Sequence, residues 1–110
     1  MLEPTRVGPL QGATHVGNFG RPGDGPYVVI WLRIVCGIVE DAAWSSNGCP
    51  AMIASASAVA ELSVGKDTSY LSQLSPEDVT NLIGQLPEGK GHAPSEALEA
   101  LRLARENEVA

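Results

Sequence analysis

The chain has 110 residues, of which 44% are hydrophobic, and 13 acidic residues outnumber seven basic ones for a formal net charge of −6. This length predicts one domain with a modest core. The acidic balance argues against a nucleic-acid-binding protein, and the lack of a Lys/Arg run argues against binding to an anionic membrane surface.

The longest apolar stretch, Val28–Val39, is interrupted by Arg33 and is too short to span a bilayer. The first residues show no basic-then-apolar signal pattern, so the expected location is the cytoplasm. In that compartment the two cysteines are expected to stay reduced.

The first 26 residues form an arm that is rich in glycine and proline. No helix of useful length fits that spacing, so the arm is predicted to be mostly loop. A short strand is expected within it, at His15–Phe19.

Two strands joined by a tight turn are predicted next. Residues 27–35 alternate apolar residues on one face with a mixed second face, and this period of two is typical of a strand with one buried side. Cys36-Gly37 supplies the turn, and residues 38–46 form the second strand. A lone hairpin is marginally stable, so a third strand or packed helices must support it.

Helical patterns then follow the strands. Pro50 suits the first position of a helix that Gly65 can terminate. Ser75 is a good N-cap for a second helix that ends near Gly84, and Asp78 completes a capping box with it. Residues 85–93 are predicted to be a loop, and a last helix begins at residue 94 or 95. Strands first and helices afterwards indicate the α+β class, with an antiparallel sheet and helices on one side.

Cys49 is the residue most informative about chemistry. It follows Gly48 and directly precedes a predicted helix, whose N-terminal partial positive charge favours a thiolate. A nucleophilic or metal-binding sulfur is therefore one interpretation. The alternative is that Cys49 is simply a small buried apolar residue.

Two further residues are candidate ligands. His92 lies in a glycine-flanked loop with Lys90 two residues before it, and it is either a ligand, an acid–base group or a solvated side chain. Asp24, between two glycines, is either a hard metal ligand or a simple turn residue. Cys36, in the hairpin turn, is given no role. These spacings match no paired-cysteine metal motif and no dinucleotide fingerprint.

Several short motifs nevertheless follow one another in the order of a known family. The most specific is Gly48-Cys49-Pro50 followed by Ile53-Ala54-Ser55-Ala56-Ser57, similar to the pattern G-C-x-x-x-I-A-S-x-S. The others are Pro4-Thr5-Arg6-Val7-Gly8, Val16-Gly17, Gly20-Arg21-Pro22, Glu61-Leu62, Gly65-Lys66, Leu86-Pro87, Lys90 and His92. Over residues 4–101 the chain resembles the iron–sulfur cluster scaffold family, that is, the IscU proteins and the N-terminal domain of NifU.

The resemblance implies a fold and a domain plan. It implies an α+β fold with a three-stranded antiparallel sheet and helices packed on one side. The SufE proteins have a similar fold. Residues 1–110 would be one NifU N-terminal-like domain. It would comprise a loop-rich arm (1–26), a β-hairpin (27–46) and a helical part (50–110).

The departures from the family pattern concern the ligands. The family holds its cluster with three cysteines, helped by an Asp or a His. In the family the first cysteine belongs to a C-G-D motif. Without a gap, its cysteine position here holds Asp24 and its Asp position holds Pro26. A one-residue shift would instead match Gly23-Asp24 to the G-D of that motif, and neither register supplies a cysteine. The second position keeps Cys49, and the third holds Ala93. The resemblance therefore implies a ligand set of Asp24, Cys49 and His92, with Lys90 in support.

This ligand set suits some metals better than others. A [2Fe–2S] cluster normally takes four protein ligands, mostly thiolates, so one chain supplies too few ligands to hold it stably. A weakly held cluster, or one shared between two chains of a homo-oligomer, stays open. One carboxylate, one thiolate and one imidazole also suit zinc with an open fourth position. The expected cofactor is thus iron or [2Fe–2S] by family likeness, zinc by donor chemistry, or none.

Three functions compete at this point. The first is a scaffold-like protein of iron–sulfur cluster assembly that binds iron or zinc and accepts sulfur on Cys49. The second is a SufE-like acceptor that takes a persulfide on Cys49 alone. The third is a degenerate, non-catalytic module that keeps only the partner surface. By family likeness the partners are a cysteine desulfurase or other iron–sulfur assembly proteins, and conventional enzyme catalysis is not expected.

Overall fold

The computed structural model describes residues 7–20, 23, 25–48, 50–84 and 92–108. Three strands come first and four helices follow within this part of the chain. They are β1 (His15–Phe19), β2 (Tyr27–Val35), β3 (Ile38–Asn47), α1 (Pro50–Ser63), α2 (Thr68–Leu71), α3 (Pro76–Ile83) and α4 (Ala93–Glu106). The α+β class expected from the element order is confirmed. No helix in these ranges is long and apolar enough to cross a membrane.

The three strands form one antiparallel sheet in the order β1-β2-β3. Val28, Ile30 and Leu32 of the central strand are completely buried, as the alternation along β2 predicted. The turn between β2 and β3 has φ values of +53° at Cys36 and +77° at Gly37. Two positive φ angles are typical of the two-residue hairpin turn that matches strand twist.

Other segments cover both edges of the sheet. At β1, the Val16 N–H donates to the Asn107 carbonyl at 3.2 Å, and the Asn107 side-chain amide donates back to the Val16 carbonyl at 2.9 Å. At β3, the Gly8 N–H donates to the Trp44 carbonyl at 2.7 Å. Uncovered edges invite pairing with other chains, so these contacts protect a sheet of only three strands.

Small residues let α1 and α4 pack closely on one face of the sheet. In α1 the buried hydroxyls of Ser55 and Ser63 donate to backbone carbonyls one turn earlier, each at 2.7 Å, so their burial leaves no polar atom unsatisfied. In α4 the alanines at 97, 100 and 104 are completely buried. Aromatic residues make up only 5% of the chain, and this close packing of small residues fills the core in their place.

The tightest approach is between α4 and β1, at Gly17. A Cβ atom added there would lie 2.0 Å from the Ala104 nitrogen and 2.6 Å from the Ala100 carbonyl oxygen. The neighbours are backbone atoms of a helix, which cannot move aside as a flexible side chain can. Gly17 is therefore the point where the backbone of α4 rests directly on the sheet.

The boundaries differ from the sequence predictions in three places. Helix α2 was not predicted, because its four residues are too few to show a helical period; the Asp67 carboxylate caps it by accepting from the Tyr70 N–H at 2.7 Å. Strand β3 extends to Asn47, one residue beyond the predicted end. Helix α4 begins at Ala93 rather than at residue 94 or 95, which moves the first helical residue next to His92.

The predicted start of α3 is confirmed. The Asp78 carboxylate accepts from the Ser75 backbone N–H at 2.9 Å, and Pro76 is the first helical residue. The helix ends at the Gly84 C-cap, where φ is +89°. Of the predicted loop at 85–93, residues 85–91 lie outside the described residues.

Gly17→Ala is expected to destabilise the fold strongly, because the added methyl group overlaps the backbone of α4. Overpacking of this kind costs about 3 kcal/mol. Urea unfolding followed by far-UV circular dichroism measures the loss. Asn18→Ala is the control, since Asn18 is exposed and lies on the other face of the same strand. It removes only an exposed hydrogen bond to the Gly20 carbonyl, so its cost should be about 1 kcal/mol. Equal unfolding midpoints for both variants would contradict the close packing at Gly17.

Candidate functional site

The end of the sheet remote from the hairpin turn gathers the segments that carry the candidate residues. Phe19, at the end of β1, pairs with Val28 near the start of β2. Tyr27, the first residue of β2, pairs with Asn47, the last residue of β3. The chain therefore leaves β1, enters β2 and leaves β3 side by side at one end of the sheet.

Both long helices begin at this same end. Helix α1 starts at Pro50, three residues after the end of β3. Helix α4 has its last turn beside the start of β1, where Asn107 bonds to Val16 and Ala104 lies against Gly17. It therefore runs antiparallel to β1, and its first residues lie toward the Phe19 end. Helix N-termini carry partial positive charge, which favours thiolates and carboxylates near them.

Three of the four predicted site residues, Asp24, Cys49 and Lys90, lie outside the described residues. Their described neighbours are informative. A Cβ atom on Gly48 would lie 3.3 Å from the Pro26 Cβ and 3.0 Å from the Met52 sulfur. The residue before Cys49 is thus packed against the residue two positions after Asp24. The register of the sheet brings those two segments together.

His92 is the predicted site residue that the structure describes. It immediately precedes α4, and its side chain makes no capping hydrogen bond. Its Nε2 atom lies 3.5 Å from Oε1 of Glu96, one helical turn later. The His92 side chain is 60% exposed and that of Glu96 is 24% exposed. The next residue, Ala93, is completely buried and so faces away from the solvent-facing His92.

The sequence analysis did not predict the contact between His92 and Glu96. The spacing His-x-x-x-Glu is visible in the sequence, but it places the two side chains together only if the helix already includes residue 93. The prediction that residues 85–93 form a loop removed that condition. Placing the start of α4 at Ala93 would have revealed the pair.

The other early glutamate of α4 is engaged elsewhere. The Arg102 Nε donates to Glu99 Oε2 at 3.0 Å, and Arg102 Nη1 donates to Glu106 Oε2 at 3.0 Å. The hydrogen bond from the Arg102 guanidinium holds the pKa of the Glu99 carboxyl below its usual range. Glu99 is therefore bound to Arg102, whereas the Glu96 carboxylate lies beside the His92 imidazole.

Cys36 is exposed at the opposite end of the sheet. The nine residues of β2 separate it from the end that holds His92, a span of about 30 Å. The chain has two cysteines, and Cys36 is too distant from that end to share a site with His92. No group of three or more potential ligands occurs within the described residues, which omit Asp24 and Cys49.

Both long helices start at the end of the sheet where the chain leaves β1, enters β2 and leaves β3. This arrangement defines a class of small α+β proteins. The family model of the NifU-like N-terminal domain matches residues 1–107. The chain belongs to the NifU-like N-terminal domain family.

Two relatives illustrate the likeness in sequence. The chain is 32% identical over 101 residues to an iron–sulfur cluster assembly scaffold protein IscU of Archaeoglobus fulgidus, covering 92% of this chain and 66% of that protein. It is 31% identical over 105 residues to the IscU scaffold protein of Aquifex aeolicus, covering 94% of this chain and 67% of that protein. The chain thus spans about two thirds of the length of these relatives.

Solved structures share the fold at lower sequence identity. The N-terminal NifU-like protein of Brucella abortus is 24% identical with a TM-score of 0.58, covering 91% of this chain and 70% of that one. A protein of Fervidobacterium islandicum described as a scaffold of the SUF system is 14% identical with a TM-score of 0.70, covering 94% and 88%. These likenesses confirm the predicted three-stranded α+β fold.

Gly48→Ala is expected to disturb the site end of the sheet. Gly48 has a φ of +152°, and an added methyl group would press on Met52 and Pro26. Strain and crowding together should lower the free energy of unfolding by about 2 kcal/mol. Urea unfolding measures this, with Asn47→Ala as control because Asn47 is exposed and one residue earlier. A Gly48→Ala variant as stable as the control would contradict the packing described for this end.

Proposed function

We propose that this chain is a scaffold-like protein of iron–sulfur cluster assembly that binds a divalent metal ion through Asp24, Cys49 and His92 and accepts sulfur on Cys49. Membership of the NifU-like family supports the biological setting, since relatives at about a third identity are named as assembly scaffolds. The observation that carries the proposal is that the flanking segments converge: Gly48 packs against Pro26, and His92 immediately precedes the helix that ends beside β1.

The metal chemistry follows from the donors. An aspartate, a thiolate and an imidazole are ordinary zinc ligands, and three of them leave one coordination position open. Ferrous iron takes the same donor types, although it prefers a larger share of nitrogen and oxygen. In this proposal the iron or the assembling cluster is cargo rather than a resident cofactor. A complete [2Fe–2S] cluster would need thiolates from a second protomer or from a partner.

Sulfur acceptance needs only Cys49. Its thiolate attacks the outer sulfur of a persulfide on a cysteine desulfurase; a new S–S bond forms on Cys49, and the old one breaks to release the desulfurase thiolate. The number of bonds and electrons is conserved, so no oxidant is required. The position directly before α1 favours the thiolate, because the helix N-terminus carries partial positive charge.

The metal test uses the two cysteines as a matched pair. Cys49→Ser is expected to weaken zinc binding by about 10-fold or more, because it removes a ligand, and Cys36→Ser to leave it unchanged. Competition titration with a chromophoric chelator measures the affinity. Cobalt(II) adds a second readout, since a thiolate ligand gives a sulfur-to-cobalt charge-transfer absorption that Cys49→Ser should remove. Unchanged zinc affinity in Cys49→Ser would refute the metal site.

The sulfur test asks whether Cys49 accepts a persulfide. After incubation with a cysteine desulfurase and free cysteine, intact-mass spectrometry should show one added sulfur atom, removable by a thiol reductant. Cys36→Ser should retain this adduct and Cys49→Ser should lose it, because only Cys49 adjoins a helix N-terminus. If neither sulfur nor metal binds to Cys49, the chain is a partner-binding module that keeps only the fold, and the proposed function is wrong.

A further inference from the structure

A groove along α4 lies apart from the candidate site. One wall of the groove is α4, the other is the segment from the end of α2 to the start of α3, and the space between them is about 340 Å³. The side chains that shape it are four leucines and two arginines, namely Leu71, Leu74, Leu98, Leu101, Arg102 and Arg105. His92 and Glu96 are not among the lining residues, so the groove is a separate feature of the same helix.

The floor of the groove is apolar and its rim is open to solvent. Leu71 and Leu101 are buried, and Leu98 is half-buried beside them. Ser72 and Ser95, which also line the groove, are exposed. A small-molecule site normally encloses most of its ligand. A groove that leaves one side of its occupant in water suits the apolar face of a peptide segment instead.

Arg105 gives the groove a charge that no carboxylate among the described residues neutralises. The other lining arginine, Arg102, is bonded to Glu99 and Glu106. Arg105 is half-buried, and its Nη1 donates to the Thr68 carbonyl at 3.5 Å, longer than the about 2.7–3.2 Å of a typical hydrogen bond. A partly buried guanidinium in this position has lost water without gaining a counter-ion. It is therefore ready to bind a carboxylate, which its forked N–H donors fit well.

We propose that this groove binds a short amphipathic segment of another protein, whose apolar side chains pack on the leucines and whose Asp or Glu pairs with Arg105. Charge complementarity at Arg105 selects the acidic residue. The formal net charge of −6 disfavours a strongly acidic partner, so the segment is mainly apolar with one acidic residue. From Ser95 to Arg105 the groove follows about 15 Å of helix, the length of a helical segment of about ten residues.

The experiment selects random peptides of about twelve residues, displayed on phage, for binding to the full chain. The parent is expected to enrich peptides in which one Asp or Glu accompanies several apolar residues. Fluorescence anisotropy with the labelled synthetic peptides then measures their affinities. Arg105→Gln should weaken binding by about 10-fold or more, because it removes the charge and keeps much of the side chain. Replacing the acidic residue of the peptide by its amide should weaken binding to the parent by a similar factor and should hardly change binding to Arg105→Gln.

Two controls separate this pair from wider effects. Arg33→Gln removes the same charge from the sheet, outside the groove, where Arg33 is bonded to Glu40. Peptide affinity in Arg33→Gln should equal that of the parent. Arg105→Gln gives up only the long contact with Thr68, so its urea-unfolding midpoint should stay close to the parent's.

The outcomes also decide between possible occupants. Equal affinity in the parent and Arg105→Gln, or enrichment of peptides without an acidic residue, would overturn the proposal. Equal weakening in Arg105→Gln and Arg33→Gln would show a general charge effect and would overturn it too. Octanoate that binds more tightly than the peptides would assign the groove to a small amphiphile, and self-association that Arg105→Gln abolishes would assign it to a second copy of this chain. Either result would overturn the choice of a partner segment.

Discussion

The contact of the α4 backbone with β1 at Gly17 is the constraint on which the rest of this structure depends. A strand and a helix approach so closely only where the strand lacks a side chain and the helix presents alanines. The contact fixes the position of α4, and the hydrogen bonds between Asn107 and Val16 fix its direction. Direction matters for function, since it sends the start of α4 to the end of the sheet where β3 leads into α1.

The chemistry proposed for that end depends on where the donors are. Cys36 occupies the hairpin turn, and the length of β2 keeps its sulfur about 30 Å from the other end. Cys36 is therefore too distant to share a metal ion with His92. A polynuclear cluster needs bridging sulfide and several thiolates, whereas a single divalent cation needs neither. The single-ion site and the sulfur acceptance proposed for Cys49 each require no more than one thiolate.

The sequence predicted much of the fold because its cues are local. The alternation along β2, the Cys36-Gly37 turn and the capping box that opens α3 each depend on residues a few positions apart, and each is confirmed. The family motifs likewise identify the α+β fold. Helix α2 was not predicted, because four residues are too few to show the helical period of hydrophobic residues. Asp67 can be recognised as its N-cap only when the turn is known to be helical.

For the candidate site, the sequence supplies the types of residue and the tertiary structure supplies their juxtaposition. From the sequence alone come the residue types: one cysteine before a helix, a histidine, an aspartate between glycines and the missing family cysteines. Only the tertiary structure decided that Gly48 packs on Pro26, that Gly17 carries a helix, and that His92 and Glu96 stand 3.5 Å apart. The physical reason is that residue chemistry is a local property, whereas juxtaposition depends on strand register, helix direction and helix phase. A shift of one residue in the start of α4 is enough to separate or to join that pair.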